Sequence, residues 1–473
     1  MKPASRAFKT NATRALENEP LQRALRGIKY GFVANRAKAR ASLPEFDRLR
    51  DEARAIKEHT LAHLDLYLEE YESKVIEAGG QVHWAASADD AREAILKICR
   101  DAGARSVTKG KSMVGEEIAI NEHLEAAGIK AIETDLGEYL IQIRGEPPSH
   151  IIAPAIHLTM DQVEADFRNI HKNLPPERIL DEPGQLVAEA RAVLRDGFLA
   201  ADVGITGANL LIAETGSSVI VTNEGNGDLT QCLPRVHIVI ASIEKAVPTL
   251  EDANTILRIL ARSATGQECS TYTTYSTGPK RPGDPDGPEE FHVVLLDNGR
   301  TEMLGGAFHD MLRCIRCGAC MNHCPVYGAV GGHAYGWVYP GPMGAVLTPS
   351  LIGIDEAGHL PNASTFCGRC EAVCPMRIPL PKLMRHWRMR EYEKGNTPAR
   401  YRWGLKLWAF AARRPWLYHA LTGLGASLLA RFGKRRGRIR SLPMAGGWTR
   451  HRDLPAPQGK TFQQLWRAQE KAS

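Results

Sequence analysis

The sequence predicts an α/β N-terminal domain with a largely parallel sheet, followed by a mainly α-helical ferredoxin-type domain and a basic helical tail. Three observations predict this. Between residues 81 and 298, short β-branched runs alternate with helical patterns; two cysteine-rich stretches then follow at 314–325 and 364–375. Charge is also divided, with 21 Lys+Arg against 4 Asp+Glu from residue 381 onward and 39 against 50 before it. A chain of 473 residues exceeds one ordinary core. The expected divisions are a helical segment (1–70), the α/β domain (71–300), a helical two-cluster ferredoxin domain (301–385) and the basic tail (386–473).

In chain order, Leu61, Leu64, Leu68, Tyr71 and Val75 form one apolar stripe at spacings of three and four, which predicts a helix over 52–78 ended by Gly79-Gly80. The strand and helix signals then alternate: QVHWA (81–85), a helix near 88–102, SVT (106–108), a helix near 113–127, IKAIET (129–134), HIIAPA (150–155) and a helix near 184–197. SSVIVTN (217–223), RVHIVIA (235–241) and FHVVLLDN (291–298) are β-branched enough to continue the sheet, with a helix near 249–264 between them. The proline- and glycine-rich stretch 277–290 is a loop. After 300, GAFHDMLRC reads as a helix entering the cysteine region, so helices rather than hairpins flank it.

Residues 314–325, CIRCGACMNHCP, have the spacing C-x2-C-x2-C-x3-C-P that wraps a cubane iron–sulfur cluster and sends its last thiolate to a second one. On the same ruler STFCGRCEAVCP (364–375) supplies Cys367, Cys370 and Cys374, but opens on Ser364. Seven thiolates allow one cluster only, a second with an unusual fourth ligand, or a second with an open iron. Paired C-x2-C motifs also suit zinc; the x3-C-P endings and the count of seven favour iron–sulfur. By the crossover logic Cys314, Cys317, Cys320 and Cys374 hold one [4Fe-4S] cluster, and Cys324, Cys367 and Cys370 hold the other, whose fourth iron is left to Ser364, water or a partner and is expected to be labile. Cys99, Cys232 and Cys269 are scattered singly and read as small packing residues.

Other signals are weaker. TKGKS (108–112) ends like a phosphate-binding loop, but the required first glycine is Arg105. GITGANLLIAETG (204–216) lacks the G-x-G-x-x-G order of a dinucleotide site. Lys109, Lys111 and Ser112 could meet a phosphate or form a solvated loop; Glu214 could face a pocket or cap a turn. His309, His323 and His333 read as packing or surface residues, and catalytic residues stay unassigned. The absence of a secretory signal and the clustered cysteines predict a reducing, cytoplasmic location. The run 415–430 is too short to span a bilayer, so the tail is expected to dock on an anionic membrane surface, at the inner face of the membrane, or on an acidic partner. No nucleic-acid motif accompanies its charge.

The strings RAKARASLP, GGQVHWA, IAETGS, YSTGPK, DGPEEFHVVLLDNGR and YGWVYPGPMGAVLTP, with the four-cysteine motif, resemble the lactate utilization protein B family from about residue 20 to the tail. The resemblance implies a lactate-utilization (LUD) domain similar in fold to the sugar-phosphate isomerase and coenzyme A transferase group. It also implies an iron–sulfur subunit working with two sister subunits to oxidise L-lactate to pyruvate for growth on lactate. An electron-transfer component is therefore expected; a hydroxy-acid-binding catalytic subunit using an open iron, or a redox-sensing scaffold, are the alternatives.

Overall fold

The computed structural model describes residues 3–442, 446–449 and 452–471. The few remaining tail positions, part of the 386–473 expectation, lie outside them. Residues 1–391 form one compact unit and 392–473 another.

Six parallel strands make the main sheet: β1 (Gln81–Ala85), β2 (Ser106–Gly110), β3 (Lys130–Glu133), β4 (Val203–Gly207), β7 (Val236–Ser242) and β10 (Glu290–Leu296), in the order β1-β10-β7-β4-β2-β3. The register sets Val236 of β7 opposite Val203 of β4 and Glu290 of β10. Both faces are covered, so alternate residues of one strand enter different cores. On β7, Ile238 and Ile240 join a core with the helix Ala88–Asp101, whereas Val239 and Ala241 join the opposite one. That opposite core is continuous from the helix Phe46–Ala62 through Val293 and Leu295 to Met311, Ile315, Val338, Leu347 and Trp387. The sheet and the cysteine region thus share one interior. The helix Gly341–Ile352 runs through it, and Gly344 is required there because a Cβ would lie 1.7 Å from the Tyr339 carbonyl oxygen.

Several expectations are corrected. The helix expected over 52–78 is two, Phe46–Ala62 and Leu64–Glu77, broken at His63; the apolar stripe survives the break, which is why spacing alone did not reveal it. Ala119, in the left-handed region at φ 54°, likewise splits the 113–127 helix. Residues 150–155 form no strand; His150 is buried against Asn322 instead. SSVIVTN does not extend the main sheet: β6 (Ser217–Thr222) sits in a separate four-stranded sheet with β5 (Leu210–Ile212), β8 (Ala246–Val247) and β9 (Tyr272–Ser276), in the order β8-β5-β6-β9. Antiparallel hydrogen bonding to β5 across the turn at Gly216 captures it locally.

In the second unit the helices Ala399–Ala412 and Pro415–Gly433 expose Trp403, Leu407, Trp408, Trp416 and Phe432. Among the described residues no helix is long and apolar enough to cross a membrane.

Candidate functional site

The two cysteine motifs adopt the same local fold. A short 3-10 helix, His309–Arg313, delivers Cys314. Arg316 (φ 57°) and Gly318 (φ 73°) then flank Cys317 in the left-handed region, and the turn Ala319–Asn322 carries Cys320. In the later motif Phe366 (φ 52°) and Gly368 (φ 76°) flank Cys367 in the same way, before the helix Arg369–Val373 with Cys370. Successive reversals of this kind turn backbone N–H groups toward one point and suit an anionic group. Non-glycine residues held left-handed at both places mark strain kept at a site. Each motif also ends alike: the N–H of Tyr327 donates to Cys324 Sγ and the N–H of Ile378 to Cys374 Sγ, both at 3.5 Å.

The structure brings the seven cysteines into two sets. Cys314, Cys317, Cys320 and Cys374 line one small cavity, closed by Ile151, Met311, Met343 and Met376. Burial, followed by repulsion from Cys374 and Cys314, pushes the Cys317 thiol up to about 12, and Cys374 rises to about 11. Thiols so placed stay protonated unless a cationic centre holds their thiolates, which is the chemistry a metal core provides. Cys324, Cys367 and Cys370 influence one another in the same manner. Here Cys370 is buried, Cys324 half-buried and Cys367 exposed; the N–H of Arg369 and the hydroxyl of Thr365 hold the Cys367 thiol below its ordinary range. Among the described residues no three cysteine sulfurs fall within 4.8 Å of one another. Tetrahedral zinc, with Zn–S about 2.3 Å, needs about 3.8 Å. The donor set therefore fits a larger multi-iron core better than a single ion. Ser364, half-buried, accepts the Phe366 N–H on its hydroxyl oxygen at 3.1 Å.

Two arginines from the N-terminal helices brace the last cysteine. Arg50 donates to the carbonyl oxygens of Cys374 (2.7 Å) and Ala372 (3.0 Å), and Arg36 to that of Val373 (2.8 Å). Both are buried. No metal-ligand pattern points to them; the only sequence signal is that Arg36 opens the string RAKARASLP.

A second cavity, about 180 Å³, lies between the carboxyl ends of the strands and the first motif. Its walls include Lys111, Glu138, Asn209, Thr222, Lys245, Arg316, Cys317 and Tyr339. Glycine at 207 lets the Lys111 loop close over the strand end, because a Cβ there would lie 2.4 Å from the Lys111 carbonyl oxygen. An ionic chain, buried except at the partly exposed Arg316, runs from the cavity wall inward. Arg300 bridges Glu117 (2.8 Å) and Glu244 (2.9 Å), Arg316 reaches Glu244 (3.1 Å), and the Tyr339 hydroxyl donates to Glu117 (2.7 Å). Against burial, Arg300 and Arg316 hold the Glu244 carboxyl at about 2. Arg300 and Tyr339 fall in two of the quoted strings, but their partners Glu117 and Glu244 carry no sequence signal.

The weaker candidates resolve as structure. Lys109 is a strand residue buried between Glu116 (2.6 Å) and Glu133 (2.8 Å) rather than a solvated loop residue, and Lys111, partly exposed in the loop that follows, pairs with Asp135 and Glu224, so neither is a free phosphate cation. Ser112 caps Gly115. Glu214 accepts the Leu250 N–H. His309, His323 and His333 each bond a backbone carbonyl. Cys99 is buried and Cys232 half-buried, but Cys269 is exposed and so is not the small packing residue expected.

Family models match in the same order as these parts: a LUD domain over residues 68–296, a 4Fe-4S dicluster domain over 310–378, and the C-terminal region of lactate utilisation protein B over 369–471. The lactate utilization protein B of Bacillus licheniformis is 42% identical over 465 residues, covering 98% of this chain and 96% of that protein. The chain belongs to the lactate utilization protein B family. The family's protein from Lysinibacillus sphaericus is 41% identical over 98% of this chain and 97% of its own length. An uncharacterized electron transport protein YkgF of Escherichia coli is also 41% identical, over 100% of this chain and 99% of its own. Among the strings that resemble the family, RAKARASLP carries Arg36 of the brace, DGPEEFHVVLLDNGR carries Arg300 and YGWVYPGPMGAVLTP carries Tyr339 of the second cavity's wall.

Proposed function

We propose that the chain is an iron–sulfur electron-transfer component of a system that oxidises L-lactate to pyruvate, working beside sister subunits. Cys314, Cys317, Cys320 and Cys374 hold the first [4Fe-4S] cluster, and Cys324, Cys367 and Cys370 hold the second. The observation that carries the reading is the pairing of a cysteine set that is buried except for the half-buried Cys314 with one that opens to solvent at Cys367, both packed against one core. Such clusters supply one-electron steps with little change of geometry. The chain's residues do the rest: the Tyr327 and Ile378 N–H groups donate to sulfurs, and Arg36 and Arg50 fix the peptide of Cys374. The relatives, lactate utilization protein B and an uncharacterized electron transport protein, support the setting.

Anaerobic purification with iron and sulfide counting tests it. The expected result is about eight irons per chain, or about seven if the second cluster loses one, and reduction by L-lactate only when the sister subunits are added. Stoichiometric zinc, or lactate turnover by the isolated chain, would overturn the relay; the latter would favour the hydroxy-acid-binding alternative. A second proposal concerns the tail, whose exposed Trp403, Trp408 and Trp416 among basic residues fit an anionic interface. Trp387, which belongs to the same basic stretch, is excluded from that role: it is buried, stacks on Phe308 and donates to the Val346 carbonyl.

A further inference from the structure

The 180 Å³ cavity holds a charge that its own walls do not match. Lys245 is 6% exposed, lines the cavity, and among the described residues its ammonium has no hydrogen bond or ion pair. The nearby carboxylates are already engaged, Glu244 by Arg300 and Arg316, and Glu117 by Arg300, Asn298 and Tyr339. The guanidinium of Arg316, 10% exposed, lies 5.2 Å from the centre of the Tyr339 ring and leaves its other terminal nitrogen buried without a partner. A buried cation left without a direct partner costs several kcal/mol, which an anion in the cavity would offset. Cys314 of the first cysteine set acts on Lys245 through space, but Arg316 lines both cavities whereas Lys245 lines the larger one alone.

Other lining residues bear on the anion's charge. Glu138 is buried and accepts the Lys111 N–H at 3.1 Å, and burial with the nearby Glu133 and Asp135 raises its carboxyl well above the usual range. A second negative charge would meet Asp135 on that side. Ile240, Leu260, Ala261 and Ala264 supply an apolar strip.

We infer that this cavity binds a small monocarboxylate carrying an oxygen on the adjacent carbon, with Lys245 and Arg316 on the carboxylate and Glu138 facing the second oxygen. The inference rests on the proposed function for its choice of probes. Calorimetry on the anaerobic, cluster-loaded full chain with pyruvate, L-lactate, acetate and succinate tests it. Pyruvate or L-lactate should bind saturably and roughly tenfold or more tighter than acetate or succinate, since a hydrogen-bond partner and an unpaired charge are each worth at least that. Lys245→Gln should weaken binding about tenfold or more with iron content unchanged. Ala208→Phe, which fills the cavity, should abolish it independently. Bound anion beside Cys317 should also move the reduction potential of the paramagnetic signal to more negative values, and reduction should weaken binding reciprocally. Saturable binding of none of the four, or binding indifferent to both variants, overturns the site. A Lys245→Gln effect on potential without carboxylate binding would do the same and assign Lys245 to the clusters. None of these results decides whether the clusters relay electrons, which the sister-subunit reduction experiment reads separately.

Discussion

At the residue scale the sharpest question is Ser364. It stands where the first motif has Cys314, in a loop of the same shape, and its oxygen already accepts a backbone N–H. Oxygen is a poor partner for a soft iron site. Mild oxidation should therefore convert the second cluster to a three-iron form, seen by electron paramagnetic resonance, while the first persists. Ser364→Cys should make both equally resistant; eight irons that resist oxidation in the native chain would sink the idea. A second residue, His237, is buried in β7 with its ring bonded to Thr206 (2.8 Å), and burial with the neighbouring His292 lowers it to about 3. Its folded form stays neutral while the unfolded form takes up a proton near pH 6.5, so stability is present above that pH and is lost as pH falls toward 3. Between pH 6.5 and 5.5 the native chain should lose about 1 kcal/mol more than His237→Gln in urea unfolding. Equal losses would refute the assignment. Cysteine identity was legible in the sequence because iron demands sulfur at fixed intervals. The burial of Lys109 or Lys245 was not, since nothing local distinguishes a core lysine from a surface one.

At the element scale the helix Phe46–Ala62 is the unexpected participant. Of the apolar stripe read from the sequence only Leu61 lies on it, and the role of Arg50 was not legible because its acceptors lie more than 320 residues along the chain. Arg50→Met would orphan the Cys374 and Ala372 carbonyls at a cost of about 2–4 kcal/mol. We expect the first cluster to be lost preferentially, with iron content falling to about half, whereas Arg48→Met on the exposed face of the same helix changes neither. Iron content unchanged in Arg50→Met would show the brace to be dispensable. The strands were legible from β-branched runs. Allocation of SSVIVTN to the smaller sheet was not, because period-two patterning says which residues form a strand and not which neighbour it chooses.

At the scale of the whole molecule, the order of an α/β portion, a cysteine region and a basic tail was readable from alternation, motif and charge. The common interior was not, because Leu295 and Leu347 look alike whichever core they enter. A chain ending at Glu391 removes the unit 392–473 and should keep both clusters while losing salt-sensitive binding to vesicles rich in anionic lipid. Equal sedimentation of the shortened and full chains with such vesicles would rule out the tail as the anchor.

The arginine brace also orders events in time. Arg50 emerges from the ribosome 324 residues before the carbonyl of Cys374 that it must hold. At about 5–20 residues per second, that interval lasts roughly 15–65 s. Throughout it, the helix Phe46–Ala62 carries a desolvation-prone guanidinium and an apolar face with no destination. Nascent chains should therefore recruit holding chaperones early. Cys314, Cys317, Cys320 and Cys374 cannot come together before synthesis has passed residue 374, which leaves iron delivery to the first set as a late step.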